Sequence, residues 1–409
     1  MNLEDLKKYV QSAAALRYRA RLQPAGGPGD KVFPPTYEGG KYAEEKRRID
    51  GETVDCVHLD SVQSQANRME EALQEAAQAG TITLPRVEVD FRAKAEQLLE
   101  GAKSEEERVS LEDLKKVGVI SSLDAPHRLA DAILRDSRDA EGHHFRETPE
   151  GKVLDSASIK NATGLFGIAP TSLLFGIWDS AGPRGGLGVK FQRAIVSELV
   201  GVGATVGEKS SSRIDPLGIV LNAGPLFSDG KTEDWTLEKV GKKIGKEGKP
   251  SEANHGNVTP TVTEVNGGVT FDYALQATVI SLPALRRLQF PVDNKQSKDI
   301  DLIAQTVLAA LGLAAATLTI SKGISLRSRC DLVPEPDAAR WELVKADGNT
   351  ELFKITSDEA CKLLNNAVTE AVNAGLAWRK EPLILLPSDS LAELVRRSRQ
   401  LTSQTKSEG

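Results

Sequence analysis

Glycines and basic residues are concentrated in residues 182–193, directly after a hydrophobic run. Arg184, Lys190 and Arg193 lie among or beside the glycines of this glycine-rich segment. Glycine lets a backbone come close to a ligand because it has no Cβ, and three cations favour an anionic ligand. The segment therefore indicates phosphate binding.

The two common nucleotide-binding motifs do not fit this segment. A P-loop needs Ser or Thr directly after its lysine, whereas Phe191 follows Lys190. A Rossmann motif needs a third glycine at position 191, where phenylalanine stands. The segment could equally be an ordinary glycine-rich connection, and its composition alone does not separate these two hypotheses.

A strictly alternating stretch lies near the N-terminus. As a β-strand, Leu16–Leu22 places apolar side chains on one face and Arg17, Arg19 and Arg21 on the other. No acidic residue separates the arginines, which favours anion binding over an ordinary solvated face.

A helix is predicted to begin after Asp60 or Ser61 and to end at Gly80. Its first turns expose Gln63, Asn67 and Arg68. Amide side chains near a helix N-terminus can contact a phosphate or a base edge, and they can equally be solvated surface.

Positive charge is segregated along the chain. From Gly182 to Arg213 there are five cations and two acids, a local excess of three in a chain of net charge −6. A predicted strand from Leu318 to Cys330 carries further cations at its end, with Arg327 and Arg329 on one face. This pattern favours contacts to a nucleic-acid backbone over base readout. The predicted contact residues are Arg17, Arg19, Arg21, Gln63, Asn67, Arg68, Arg184, Lys190, Arg193, Lys209, Arg213, Lys322, Arg327 and Arg329.

Composition limits the class of protein. The chain has 409 residues, 40% hydrophobic and only 5% aromatic, so binding by base stacking is less favoured than binding by backbone contacts. Cys56, Cys330 and Cys361 are too far apart for a disulfide framework or a zinc motif. No cofactor or metal is predicted, and a reducing cytoplasm fits. The apolar run Leu302–Ile320 is predicted to be a buried helix entering a strand, not a membrane span.

No catalytic motif is present. The chain lacks H-E-x-x-H and G-x-S-x-G, and its histidines have no evident metal spacing. His127, Asp131 and Arg135 are predicted to share one helix face, which is more typical of an ion-paired surface than of an acid–base site. Asp215 and His127 are the candidates for a nuclease, and the prediction is that the protein is not an enzyme.

Several short motifs follow one another along the chain: Leu22-Gln23-Pro24 with Val32-Phe33-Pro34-Pro35-Thr36-Tyr37, Leu59–Arg68, Ala125-Pro126-His127-Arg128 with Asp131-Ala132-Ile133, Phe175–Ser180, Arg213-Ile214-Asp215-Pro216 and Ser281–Leu288. Together they resemble the RAMP-superfamily backbone subunit of type I-G (formerly I-U) CRISPR Cascade complexes. The resemblance runs from about Leu16 to Arg329 and is weaker beyond it.

The resemblance implies an α+β chain with a modified RRM-like (ferredoxin-like) palm, finger and thumb insertions, and a C-terminal helical extension. Residues 1–330 would form the palm, with a helical insertion at about 86–157 and a flexible thumb-like loop at about 228–260. Residues 331–409 would add a hairpin and two helices that pack on the palm.

The resemblance also implies a function without catalysis. Copies of the chain would polymerise along a CRISPR guide RNA and present its bases to a target DNA strand in antiviral defence. Other partners would be the Cascade large subunit, the subunits that bind the guide's ends and a recruited helicase-nuclease, with no membrane partner. The alternatives are an RNA-processing or target-cleaving nuclease on the same fold, and a nucleotide-binding enzyme.

Overall fold

The computed structural model describes residues 1–180, 188–220, 222–228, 234–263 and 266–408, with side chains to residue 402. Its main sheet has eight strands: β1 (Ala15–Pro24), β4 (Glu44–Ile49), β5 (Glu52–Asp60), β11 (Ile195–Val202), β18 (Tyr273–Ser281), β19 (Ile324–Ser325), β20 (Asp331–Val344) and β21 (Thr350–Phe353). Their order across the sheet is β19-β20-β1-β18-β11-β5-β4, with β21 paired to β20. All the pairings in this sheet are antiparallel. This mixture of helices with an antiparallel sheet confirms the α+β class.

Long helices cover one face of the main sheet, where they bury the apolar side of β1. They are α1 (Leu3–Ser12), α2 (Val62–Gln78), α9 (Leu282–Arg286), α10 (Lys298–Ser321) and α11 (Ser357–Asn373). As predicted, Ser61 caps α2 by accepting from Ser64 N, and Gly80 follows the helix with a positive φ. By length and composition α10 could cross a membrane, but most of it is buried in the core, as expected for the central helix of a folded chain.

The predicted strand from Leu318 to Cys330 is wrong. Helix α10 continues to Ser321, β19 contains only Ile324–Ser325, and Arg327 and Arg329 lie in the turn before β20. Within the helix, the hydroxyls of Thr317 and Thr319 donate to the carbonyls four residues earlier, so these polar groups have partners.

Residues between α2 and β11 form most of a second layer. Its elements are α3 (Phe91–Leu99), α4 (Glu105–Lys115), α5 (Ala132–Arg135), α6 (Pro149–Ser156), α7 (Thr163–Ile168), α8 (Pro170–Phe175), β6 (Val87–Asp90), β7 (Val119–Ser121) and β8 (Ser137–Arg138). Together with β22 (Leu383–Pro387), its strands form a four-stranded sheet in the order β7-β6-β22-β8, so the predicted insertion at 86–157 is not purely helical.

The C-terminal residues are divided between these two layers. The hairpin β20–β21 is part of the main sheet beside β1, so it is not an added element packed on that sheet. Strand β22 (Leu383–Pro387) pairs with β6, and α12 (Asp389–Glu408) packs on α4. A chain boundary at residue 330 therefore does not separate two structural units.

The predicted helix carrying His127, Asp131 and Arg135 on one face is also wrong. A 3-10 turn, Arg128–Ala130, is followed by the short α5, and Arg128 has a φ of 52°. Asp131 stands between them in an extended conformation and caps α5 by accepting from Ile133 N. The three side chains therefore do not follow one helical repeat.

Short strand pairs occur in other parts of the described chain. β2 (Thr36–Tyr37) pairs with β3 (Lys41–Tyr42), and β9 (Ile177–Trp178) pairs with β10 (Lys190–Phe191). Residues 205–270, here called the arm, hold the pairs of β12 (Thr205–Val206) with β17 (Val269–Thr270), β13 (Lys209–Arg213) with β16 (Val258–Thr263), and β14 (Phe227–Ser228) with β15 (Lys242–Lys243). The segment predicted as a flexible thumb-like loop at about 228–260 contains β15 and the beginning of β16, which pair with the preceding strands β14 and β13.

Candidate nucleic-acid interface

The arginines of β1 lie on the face of the main sheet opposite the helices. Burial alternates as predicted: Leu16, Tyr18, Ala20 and Leu22 are in the core, and the arginines between them are accessible. Because β1 lies between β18 and β20, these arginines are near the middle of the sheet face.

Two of the three arginines have acidic partners on β20. Arg17 Nη2 lies 2.6 Å from Glu342 Oε2. Arg21 Nε lies 3.3 Å from Glu335 Oε2, and its guanidinium is 3.8 Å from the centre of the Tyr273 ring. The sequence around the arginines does not reveal these acids, because they lie on a strand more than three hundred residues later in the chain.

Arg19 differs from its neighbours. Its side chain is exposed, and no described residue forms a hydrogen bond or ion pair with it. Its partners across the ladder are Ala277 on β18 and Arg340 on β20. Arg19 thus presents an uncompensated positive charge on the sheet face, as an anion-binding residue would.

The buried carboxylate of Glu342 gives the sheet face a defined pH dependence. Burial raises its pKa, but hydrogen bonds from Arg340 and Arg17 outweigh that effect and lower it below the ordinary value of 4.5. A lowered folded-state pKa contributes stability that is present above the unfolded pKa and is lost as pH falls through the folded value. We expect the difference in unfolding free energy between the native chain and Glu342→Gln to be largest near neutral pH and to shrink below about pH 4.5. Urea unfolding across pH 3–7 measures this, and a difference that stays constant with pH would contradict it.

The predicted contacts on α2 divide into two kinds. Gln63 and Asn67 are exposed, so both are available to a ligand. Arg68 is committed within the fold: its Nε donates to the buried carboxylate of Asp60 at 2.9 Å, and its Nη2 donates to Leu326 O at 2.9 Å. Its guanidinium therefore fixes the turn after β19.

The remaining predicted cations are spread over two regions. Lys322 pairs with Glu75, Arg327 donates to Pro34 O at 3.2 Å, and the guanidinium of Arg329 lies 4.4 Å from the centre of the Phe33 ring. Neither Arg327 nor Arg329 has a carboxylate partner among the described residues, so their charge is not neutralised. Lys209 and Arg213 are on β13 of the arm.

The glycine-rich segment begins and ends in a short hairpin. Arg184 lies outside the described residues. Lys190 is exposed on β10, and its Nζ is 5.5 Å from the centre of the Trp178 ring on β9. Arg193 is partly buried and donates to Phe175 O at 3.2 Å. Burial and the nearby guanidinium of Arg128 lower the pKa of Arg193. Lys190 is thus accessible to a ligand, whereas the Arg193 side chain makes a hydrogen bond within the fold.

Two buried ion pairs beside this hairpin were not predicted from the sequence. Arg128 makes a bidentate pair with Glu70, and both side chains are almost fully buried. Arg146 Nη2 lies 2.7 Å from the buried carboxylate of Asp179. The two partners of each pair are far apart in the chain. The dense mixture of acids and arginines in this region is the sequence feature that indicates ion pairs.

The two candidate nuclease residues have structural contacts. The carboxylate of Asp215 accepts from Gly256 N at 2.6 Å and from Leu217 N at 3.2 Å, and the Gly256 contact is the largest cause of its lowered pKa. The backbone N–H of His127 donates to Asp131 at 3.0 Å. Asp215 belongs to the arm and His127 to the insertion, and no contact joins them in the described part of the chain. Asp139, Glu141 and His143 form a further acidic group on an exposed turn.

Part of the chain is similar to a known protein family. Residues 16–206, somewhat less than half of the chain, match the model of a family described as CRISPR-associated protein GSU0053. The match contains four of the motif regions from which the resemblance was drawn. None of the curated proteins matches the chain.

Among solved structures, the chain is similar to the crystal structure of Thermofilum pendens Csc2. The identity is 10%, and the alignment covers 98% of this chain and 82% of that chain with a TM-score of 0.26. A score this low does not define a common fold.

Proposed function

We propose that the chain is a guide-RNA-binding structural subunit of a CRISPR Cascade complex, with no catalytic site of its own. The observation that carries this proposal is the set of accessible cations without carboxylate partners in the described part of an acidic chain, including Arg19, Lys190 and Arg327. Charges placed in this way bind phosphates without reading bases. They suit a guide RNA of any sequence.

The strand order supports an RRM-like palm. The four strands β20-β1-β18-β11 lie side by side and antiparallel, α2 precedes β11 in the chain, and α10 connects β18 to β20. This is the β-α-β-β-α-β order of ferredoxin-like folds, with the β4–β5 hairpin inserted before the first helix. On this proposal, residues 86–157 act as the finger insertion and the arm acts as the thumb.

The proposed partners follow from this role. Copies of the chain would line up along the guide RNA in a helical filament, and the exposed bases would pair with a target DNA strand. The large subunit and the subunits that bind the guide's ends would complete the complex in the cytoplasm. Exposed apolar side chains of the arm, such as Ile214 and Leu217, are available for contacts with neighbouring subunits.

Expression of the chain with a CRISPR array and its neighbouring subunits tests the proposal. We expect RNA of discrete length to copurify and to be protected from nuclease in regular steps, one for each bound copy. Apoprotein without RNA would contradict the proposal. Cleavage of added RNA or target DNA by the purified chain alone would favour the nuclease, and Asp215→Asn would then have to abolish that cleavage.

A further inference from the structure

Trp178 is exposed in an unusual setting. It lies on β9 between the buried residues Ile177 and Asp179, which are 5% and 3% exposed, whereas Trp178 itself is 53% exposed. Tryptophan is highly buried on average in folded proteins, and the chain's Trp341 and Trp378 follow that rule. The alternation along β9 therefore holds one face of a large aromatic ring toward solvent.

The strand that carries Trp178 is held rigidly from behind. Gly176 has a φ of 84°, and a Cβ at this position would lie only 3.0 Å from Phe191 O. Its carbonyl accepts from Arg128 Nη1 at 3.0 Å. On the other side of Trp178, Asp179 N donates to Val189 O at 2.8 Å, and the Asp179 carboxylate pairs with Arg146. These contacts fix the backbone on both sides of Trp178 and leave its ring uncovered.

The surroundings of Trp178 are cationic. Lys190 lies opposite Trp178 in the hairpin, and its Nζ is 5.5 Å from the ring centre. Lys190 also lines a cavity of about 220 Å³. The walls of this cavity are mostly apolar, and its polar side chains are those of Lys190, Gln192 and Arg287. The lining contains no carboxylate, and Arg287 bonds only to Gln192 at 3.4 Å among the described residues. An exposed aromatic ring beside Lys190, with Arg287 in the cavity that Lys190 lines, matches a nucleotide, which combines a flat base with a negative phosphate.

We propose that Trp178 is a stacking platform for one base of a bound single-stranded nucleic acid, with Lys190 and Arg287 on the adjoining phosphates. The inference rests on the proposed function and adds to it, because phosphate contacts alone leave the bases without a protein partner. Stacking is tolerant of base identity because every base has a π-face. The platform would thus hold a base in a defined position without selecting its sequence.

The test compares two RNA probes on the full chain. We expect Trp178→Ala to weaken binding of an oligouridylate about fivefold to 150-fold. It should leave the affinity for the same oligomer with abasic sites, and the salt dependence of binding, unchanged. Trp178→Phe should retain most of the affinity because it keeps an aromatic face. Leu394→Ala is the control and should leave the affinity for both probes unchanged, since Leu394 is also an exposed apolar side chain (64%) but lies on α12, away from the main sheet.

The outcomes separate this inference from the proposed function. Equal oligouridylate binding by the native chain and Trp178→Ala overturns the stacking platform and leaves the RNA-binding role intact. Loss of copy–copy association with unchanged RNA affinity assigns Trp178 to a protein contact and also overturns it. If the native chain binds neither probe at low salt, both proposals fail. Thermal unfolding of each variant, expected to match the native chain, confirms that a loss of affinity is not a loss of folding.

Discussion

Replacement of Arg128 by leucine is expected to destabilise the chain by about 3–5 kcal/mol, the cost of leaving a buried charge without its partner. Arg128 Nε and Nη2 each donate to the Glu70 carboxylate at 2.7 Å, and the two residues are only 8% and 1% exposed. Burial raises the pKa of Glu70, and the guanidinium of Arg128 opposes that rise. Without Arg128, the carboxylate either stays charged in an apolar site or takes up a proton, and both cost free energy.

The double variant Arg128→Leu with Glu70→Leu is the control. It should recover most of the lost stability, because a buried ion pair replaced on both sides leaves no charge unpaired. Urea unfolding of the native chain, both single variants and the double variant measures the coupling between the two positions. A single-variant loss below about 1 kcal/mol would contradict a strongly coupled buried pair. The double variant still lacks the donor to Gly176 O, and the loss of that buried hydrogen bond is the part of the stability that it should not recover.

Local patterns in the sequence predicted local structure well. The alternation of Leu16–Leu22 gave the strand, its buried face and the accessible side of its arginines. A serine followed by a helical repeat and a glycine gave both ends of α2. These features depend on residues within a few positions of one another, and that is why the sequence alone contains them.

Features that depend on distant residues could not be predicted. The acid that neutralises Arg17 stands on β20, and Arg128 finds its partner on α2. The place of β20 inside the main sheet is set by pairing with β1 at the opposite end of the chain. The end of α10 differs from the prediction for a related reason. β-branched residues favour a strand locally, but packing of α10 against the sheet and α2 favours a helix.

These partners change which arginines can report on RNA binding. Arg17 is unsuitable, because its removal takes a hydrogen bond from the buried Glu342 and would alter stability as well as affinity. Arg68 is unsuitable because it holds Asp60 and Leu326 O. Arg19, Lys190 and Arg327 lack carboxylate partners in the described chain, so their removal leaves no unpaired acid behind.

The triple variant Arg19→Ala, Lys190→Ala, Arg327→Ala is expected to weaken single-stranded RNA binding about 100-fold at about 0.1 M salt. Each phosphate contact to a single strand contributes about 0.7 to the slope of log affinity against log salt, which is about fivefold per contact at that concentration. The slope itself should become shallower by about 2. Titrations of labelled RNA at several salt concentrations measure both quantities.

A matched triple variant removes equal charge elsewhere. Lys103, Arg108 and Lys152 are exposed in the second layer, before α4, on α4 and on α6, and no described carboxylate pairs with them. Their replacement by alanine should leave the slope unchanged and reduce affinity only slightly, through net charge. Equal effects of the two triple variants would mean that the chain attracts RNA by its overall field and has no phosphate track. A loss that varied with RNA sequence would mean that the cations contact base edges, because phosphates are the same at every position and bases are not.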